Sequence, residues 1–362
     1  MTRSARSGLL PLVVVLLCSA PPSPPAQAAC TIDRTPSDPA APFTRHLGPD
    51  CSEQERQAQA VSSADLLAAL KAGRGLDLTG VVVAGNLMLD QLPVIPVSRV
   101  DGLSPGLQRA VRDRGLKELR VIAGPVSIRR SVVRGAIQTN LQDGLLLFKG
   151  PVTMAGTTFE QPVDLSHSGF LGPVDGSEAV FLRQSFFLNS VFAQPVRFEK
   201  TAFGVHARFH RAVFEEPVTF HRAGFNGLAE FLEVTFEKDA RFSQTHFKMG
   251  TGFSGSQFRG ALDFSEALFE REAFFLFTRF EKDAYFRRAT FRATADFSDA
   301  RFNGVDDFSK TFFNDQPRFT RTKANREGAP PLGLQNPRIF YGVTAALGIF
   351  TLFFVWALRK RS

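Results

Sequence analysis

Residues 236–247 read FEKDARFSQTHF, and residues 280–291 read FEKDAYFRRATF. Both stretches belong to a series of 26 phenylalanines, from Phe181 to Phe319, that are spaced alternately six and five residues apart. The 11-residue half of this period continues towards the N-terminus as far as Phe148. A fixed short period over so long a stretch is typical of a solenoid, in which each repeat packs against its neighbours.

An 11-residue period also suits a right-handed helical supercoil, but two observations exclude that interpretation. Steps of five and six residues would place the Phe side chains of a helix on two stripes roughly 140° apart. Prolines also fall inside the repeats, where each would cost a helix about 3 kcal/mol. They are Pro151, Pro162, Pro173, Pro195 and Pro217.

Small side chains precede the phenylalanines by two residues. From Phe192 to Phe313 these 23 positions hold 11 Ala, 7 Ser or Thr and 3 Val, with Leu262 and Asp306 as exceptions. Residues i and i−2 of a strand point the same way, so each repeat should bury a small residue and a Phe. The residue between them should face solvent, and charged residues such as Arg241 often stand there. Two or three residues remain for a corner.

The units Ala240-Arg-Phe242 and Ala295-Asp-Phe297 resemble those of pentapeptide-repeat proteins. The pattern of that family is Ala, then Asp or Asn, then Leu or Phe, then two free residues. The resemblance implies an all-β fold, a right-handed quadrilateral β-solenoid with one repeat on each face. It covers residues 126–319 and, weakly, Leu76–Leu89.

The extra residue in alternate repeats predicts coils of 22 residues, where strict five-residue repeats would give 20. Pro151, Pro173, Pro195 and Pro217 lie 22 residues apart, so they would stack at one corner. We expect four stacked columns of Phe to fill the interior. The ladder includes Phe192, Phe198, Phe203, Phe209, Phe214, Phe220, Phe225, Phe231, Phe236 and Phe242.

The N-terminal residues 1–28 have the pattern of a secretory signal peptide. Basic residues precede an apolar run, and Ala26-Gln-Ala28 is the predicted cleavage site. Residues 29–61 would form an exported segment with a possible disulfide between Cys30 and Cys51, which suits an oxidising compartment. An alternative hypothesis makes Cys30 the lipidated first residue of the mature chain.

Residues 62–125 depart from the repeat. Ser63–Gly73 predicts a short capping helix that covers the open first coil. Pro105–Leu119 predicts a second helix, inserted among the early coils. The regular solenoid is then expected over residues 126–319.

Residues 339–358 are twenty residues without a charge, long enough as a helix to span about 30 Å of hydrocarbon. The basic tail 359–362 predicts a cytoplasmic C-terminus, and the polar residues 320–338 predict a linker. We expect a single-pass protein of the bacterial cell membrane with its solenoid on the extracytoplasmic side. A processed surface-sorting tail is the alternative interpretation.

The net charge of +8 is unevenly distributed. Residues 148–319 include 20 basic and 22 acidic residues, whereas residues 99–134 include nine basic and three acidic residues. We therefore expect no nucleic-acid partner. The basic segment 99–134 is interpreted as a solvated helix face, with binding to an anionic membrane surface or envelope polymer as the alternative.

The sequence contains no catalytic, cofactor-binding or metal-binding motif. His206, His210 and His221 form its only close histidine group, and they are predicted to lie on different faces, a poor geometry for one metal. The adjacent acids Glu215-Glu216 and Asp306-Asp307 are interpreted as solvated charges at corners. We therefore predict a protein that is not an enzyme and uses no cofactor.

The segment Ala273–Phe277 carries the best indication of a contact surface. Phe275 lies on the period and should point inward, which leaves its neighbours in the strand facing solvent. Exposed apolar side chains can mark an interaction site. The candidate interaction residues are Leu268, Phe274, Leu276 and Tyr285, of which Leu268 and Tyr285 are expected on other faces.

These observations predict a non-catalytic, membrane-anchored scaffold or protein-interaction module of the bacterial envelope. The resemblance also implies an alternative, because some pentapeptide-repeat proteins are similar in shape to duplex DNA and inhibit topoisomerases through acidic surfaces. A third possibility is an envelope-polymer binder that uses the basic segment 99–134. The sequence identifies neither the partner nor the oligomeric state.

Overall fold

A computed structural model describes residues 30–34, 38, 40–141 and 144–324 of the chain. The predicted signal peptide, most of the predicted linker, the hydrophobic segment 339–358 and the basic tail lie outside these residues. Within the described ranges, no helix has the length and apolar character needed to cross a membrane.

The chain forms a right-handed, four-sided β-solenoid. Its four faces, named A to D in chain order, are sheets of 12, 11, 9 and 11 strands. Each strand of the regular part pairs in parallel with the strand 22 residues further on, as where Ala240 pairs with Leu262. The predicted 22-residue coil is therefore confirmed.

The strands of faces A and B start each coil. Face A comprises Ile32–Arg34, Phe43–Leu47, Leu76–Thr79, Val126–Arg129, Val152–Thr153, Val174–Asp175, Val196–Arg197, Val218–Thr219, Ala240–Arg241, Leu262–Asp263, Ala284–Tyr285 and Asp306–Asp307. Face B comprises Val61–Ser62, Val82–Ala84, Val132–Val133, Thr158–Phe159, Val180–Phe181, Ala202–Phe203, Gly224–Phe225, His246–Phe247, Leu268–Phe269, Thr290–Phe291 and Phe312–Phe313.

The strands of faces C and D complete each coil. Face C comprises Leu87–Met88, Ile137–Gln138, Val163–Asp164, Gln184–Phe186, His206–Arg208, Leu228–Glu230, Thr251–Gly252, Ala273–Phe274 and Ala295–Asp296. Face D comprises Val94–Pro96, Glu118–Ile122, Leu146–Phe148, Ser168–Phe170, Val191–Phe192, Val213–Phe214, Thr235–Phe236, Gln257–Phe258, Arg279–Phe280, Arg301–Phe302 and Lys323–Ala324.

Four columns of phenylalanine fill the interior, one behind each face. The ring of Phe242 stacks on that of Phe220 at 4.8 Å and on that of Phe264 at 4.8 Å. It also meets Phe231 of a neighbouring column edge to face, at 5.4 Å and 90°. Both arrangements are favoured by the aromatic quadrupole. The predicted ladder residues are all buried.

The small residues two positions before each Phe form a second set of buried columns. Where the residue is Thr, its hydroxyl donates to a carbonyl of the preceding coil, as from Thr201 to Gly176 at 2.7 Å and from Thr245 to Phe220 at 2.8 Å. These buried hydroxyls are therefore satisfied. Ala and Thr can alternate in the columns because both fit the space and neither leaves an unpaired polar group.

The two corner types explain the alternating spacing. After a Phe of face A or C, the second residue has a left-handed backbone, as at Arg211 with φ 56° and Glu233 with φ 55°. This conformation closes the corner in five residues. The other corners use six residues and carry the stacked prolines. Left-handed residues of adjacent coils are often linked, as by the 2.7 Å ion pair between Arg211 and Glu233.

Two helices close the N-terminal end. Helix α1 spans Glu53–Ala58, and helix α2 spans Ser63–Lys71 with Ser62 as its N-cap. Leu66 and Leu70 of α2 join the apolar core, so α2 covers the open coil. A disulfide between Cys30 and Cys51, with an S–S distance of 2.08 Å, links the first strand to the residues before α1.

An inserted segment interrupts the first full coil. It contains the 3₁₀ turns Leu89–Gln91 and Val97–Arg99 and helix α3, Pro105–Asp113. The prediction of a helix up to Leu119 was wrong at its end. Gly115, with φ 62°, stops the helix, and the chain returns to the solenoid as strand Glu118–Ile122, paired with Leu146–Phe148.

The insert packs on the outside of face D. Leu107 and Leu119 pack with the outward residues Leu147 and Val191 in an apolar cluster that is separate from the Phe core. A side chain in place of Gly169 would collide with Leu107, so glycine lets the helix approach the sheet. The insert thereby covers the early part of face D.

Candidate functional site

The histidines predicted as the only close group make separate contacts. His206 lies 3.0 Å from the Glu230 carboxylate, His210 lies 3.7 Å from Glu233, and His221 contacts Ser243. In the part of the chain that the structure describes, no three His, Cys, Asp or Glu side chains are grouped to hold a metal ion. These histidines cross-link neighbouring coils.

Glu230 illustrates the electrostatics of such a link. Burial alone would raise the pKa of Glu230, but hydrogen bonds from Arg208 and His206 outweigh it and hold the pKa below its ordinary value. The carboxylate is therefore charged at neutral pH. The carboxylate accepts hydrogen bonds from Arg208 and His206, which suits a structural rather than an acid–base role.

The adjacent acids are not simple solvated charges, contrary to the sequence-based interpretation. Glu215 accepts a hydrogen bond from the Gly106 backbone N–H at 2.5 Å, near the start of α3. Asp306 is only 1% exposed and occupies the buried small-residue column of face A. Its neighbour Asp307 pairs with Arg287 at 2.5 Å. These acids support the structure of the solenoid and its insert.

Within the described residues, a small void lies near the N-terminal cap, where aliphatic side chains replace the Phe columns. Its volume is about 40 Å³, and Leu70, Ile122, Met154 and Phe159 are among its apolar lining residues. The side chains that line this void are all apolar, so none of them offers a polar group to orient a substrate. It accompanies the change from aromatic to aliphatic packing.

The basic segment 99–134 does not form one surface. Arg109 of α3 lies over face D and faces Glu237 at 3.6 Å. Arg129 lies on face A beside Asp77, whereas Arg134 follows a face B strand and contacts Glu53. The interpretation of the segment as a single helix face was wrong, because only part of it is helical.

The four candidate interaction residues lie on three faces, with Leu268 and Tyr285 apart from the other two as expected. Leu268 is half-buried on face B, and Tyr285 is half-buried on face A. The Tyr285 hydroxyl donates to Asp283, and the Arg287 guanidinium lies 4.4 Å from its ring. Only Phe274 and Leu276 are neighbours. Phe274 lies in the face C strand Ala273–Phe274, and Leu276 follows that strand.

The structure adds an apolar patch around these two residues. Phe277 is 62% exposed and follows Leu276, while Phe274 is 38% exposed. The side chains of two preceding coils extend the apolar surface. The patch comprises Leu228, Leu232, Met249, Phe274, Leu276 and Phe277.

Glycine leaves Phe274 open on one side. Its register partner in the preceding coil is Gly252, which has no side chain to cover the ring. Phe186 stands at the equivalent outward position four coils earlier, and there His206 packs edge-on at 6.0 Å and Arg208 lies over the ring at 5.9 Å. Phe274 is therefore presented to solvent where Phe186 is screened.

Phe277 occupies a left-handed corner position, with φ 56°. The equivalent residues of the neighbouring coils are Gly255 and Asp299, types that suit a corner. A bulky apolar residue at such a position is an outlier. Alignment of the sequence at 22-residue steps would have revealed it, because the other residues of this column are polar or glycine.

The fold and the stacked Phe columns define a solenoid of short repeats with a filled core and any interaction site on its outer surface. Residues 220–268 and 264–311 match the family model described as pentapeptide repeats in nine copies. The chain therefore contains pentapeptide repeats over residues 220–311. Comparisons with curated proteins and with solved structures found no match.

Proposed function

We propose that this protein is a non-catalytic scaffold of the bacterial envelope, tethered to the membrane by residues 339–358, whose apolar patch binds a protein partner. The observation that carries the proposal is Phe277, an exposed aromatic ring at a corner where its column otherwise holds polar residues or glycine. Backbone strain is retained where it serves a function. The adjacent Phe274 makes the ring part of a larger apolar surface.

The composition of the patch favours a protein partner. Aromatic and Met side chains are enriched in interface centres, and polar groups surround them. Phe274, Phe277 and Met249 supply the centre, while the Glu230–Arg208 ion pair and the exposed Arg271-Glu272 lie nearby. We therefore expect a partner with an apolar contact surface that is surrounded by charged side chains.

The alternative functions find less support. A mimic of duplex DNA needs a continuous acidic surface, whereas the outward row of face B runs through Ala202, Gly224, His246 and Leu268 without a carboxylate. Binding of an envelope polymer through residues 99–134 would require their cations to share one surface. They lie on different faces and several are paired with acids.

Double substitution of the patch provides the test. Phe274→Ser with Phe277→Ser removes two rings, each of which contributes about 2.5 kcal/mol if roughly 100 Å² is buried on binding. The full chain would be purified from detergent-solubilised membranes and its co-purifying proteins quantified by isotope labelling. We expect a specific partner to fall at least tenfold in the variant.

The matched control replaces two exposed apolar residues elsewhere, Leu182→Ser with Val305→Ser, which are each 49% exposed. The control should retain the partner, and both variants should melt like the native protein. Equal loss in both variants, or no loss in either, would contradict a role for the patch. Sedimentation of the purified protein would show whether the partner is a second copy of the chain.

A further inference from the structure

Face D beyond the insert carries a row of three cations. The outward positions of successive strands are Thr235, Gln257, Arg279, Arg301 and Lys323. The last three are exposed and are direct register partners, Arg279 with Arg301 and Arg301 with Lys323. We call these three residues the cation row.

The row departs from the charge pairing of the surrounding coils. Among the described residues, no carboxylate lies within 4.0 Å of Arg279, Arg301 or Lys323. Most neighbouring arginines on the other faces and corners have one, with the exposed Arg271 as an exception. The pairs are Arg287 with Asp307, Arg288 with Glu266, Arg292 with Glu270, Arg318 with Asp296 and Arg321 with Asp299.

Like charges on neighbouring strands repel one another. Parallel strands lie about 4.8 Å apart, so the three side chains share one narrow strip of surface. Glu281, which directly follows the strand Arg279–Phe280, accepts a hydrogen bond from Asn303 at 2.5 Å instead. Three aligned cations without acids fit a ligand that supplies several negative charges.

We propose that the cation row binds the phosphate groups of anionic lipids and so holds face D of the last coils against the membrane surface. Arg recognises phosphate through its planar fork, and Lys does so as a point charge. Three cations in a line match a surface that presents many phosphates rather than a single small anion.

The place of the row in the chain selects lipid as the source of the phosphates. This step rests on the proposed membrane tether. Fifteen residues, 324–338, separate Lys323 from the hydrophobic segment 339–358. At about 3.4 Å per residue they reach at most roughly 50 Å. The row is thus confined near the bilayer, where a short tether raises its effective concentration.

The full chain in lipid nanodiscs tests this docking. A fluorophore on Gln257→Cys, in a Cys18→Ser background, reports on face D through quenching by spin-labelled lipid headgroups. We expect stronger quenching in discs containing phosphatidylglycerol than in phosphatidylcholine discs, and loss of the difference in high salt. The same label at Asn226→Cys, on another side of the solenoid, should show no such difference.

The variant Arg279→Gln with Arg301→Gln and Lys323→Gln should weaken docking roughly 100-fold, at about fivefold for each cation near an anionic surface. The matched control removes three cations from other faces, Lys248→Gln, Arg271→Gln and Lys310→Gln. It should dock like the native protein. Equal quenching in both lipids, or equal effects of the two triple variants, would overturn the proposal.

Two further arms separate the causes of failure. Soluble inorganic polyphosphate is added to phosphatidylcholine discs, and the fluorescence of the label at Gln257→Cys is followed; a change as large as that caused by phosphatidylglycerol would overturn the choice of lipid. Membrane insertion is measured separately as flotation with vesicles after an alkaline wash. Loss of flotation would refute the tether of the proposed function, whereas intact flotation without lipid-dependent quenching would refute the row.

Discussion

At the scale of single residues, the outward side chains carry the information that the repeat does not specify. Most left-handed corners hold charged side chains that link one coil to the next, as Arg211 does with Glu233. Phe277 makes no such link and exposes its ring. Under the proposed function, the strain of its left-handed backbone is the cost of presenting an aromatic group to a partner.

Phe277→Asn should therefore stabilise the protein while it weakens the proposed interaction. Asn tolerates the left-handed backbone, which costs other residues roughly 1–2 kcal/mol. We expect the free energy of unfolding to rise by about 0.5–1 kcal/mol in thermal or denaturant melts. Leu276→Asn, at a neighbouring position without positive φ, should bring no gain. A lower melting temperature for Phe277→Asn would show that the ring supports the fold.

At the scale of elements, the insert and the solenoid form two separate apolar cores. Helix α3 packs through Leu107 on the outside of face D, and that cluster does not merge with the Phe columns. Insert and solenoid should thus unfold with different free energies. Part of the insert could open without disturbing the coils beneath it.

Leu107→Ala tests this independence. Removal of the buried side chain should cost about 2–5 kcal/mol, and the loss should be confined to the insert. Hydrogen exchange should accelerate for the amides of α3 while those of residues 231–253 stay protected. Val94→Ala, at an exposed residue of the same insert, serves as the control. Faster exchange throughout the solenoid would contradict two independent cores.

At the scale of the whole molecule, the 22-residue coil is the unit of stability. Each coil contacts only its neighbours, so the loss of one whole coil should leave the remainder foldable. The early insert shows that the solenoid also tolerates additional residues between strands. The solenoid cannot accommodate a corner with too few residues in the same way, because the chain must still turn before the next Phe.

Two deletions distinguish these cases. Removal of residues 240–261 joins Asp239 to Leu262 and keeps six residues from Phe236 to Phe264. Removal of residues 238–261 shortens that step to four. We expect the first variant to melt cooperatively within a few degrees of the native protein and the second to melt at least about 10 °C lower. Similar melting of both would show that the period does not constrain the fold.

The sequence by itself determined the solenoid, its 22-residue coil and the inward side chains. These follow from local rules, since the alternation of strand side chains and the spacing of Phe residues operate within a few positions along the chain. The helix α2 also carries its own local signals, with Ser62 as N-cap. The basic segment was misjudged because its residues are near in sequence and distant in space.

Only the tertiary structure decided which outward residues share a surface. Stacking brings together residues 22 positions apart, so Phe274 lies beside Gly252 and Arg279 lies beside Arg301. It also placed the insert on face D, because apolar packing between Leu107 and Val191 joins segments more than 80 residues apart. Such contacts depend on the registration of whole coils, which no short stretch of sequence encodes.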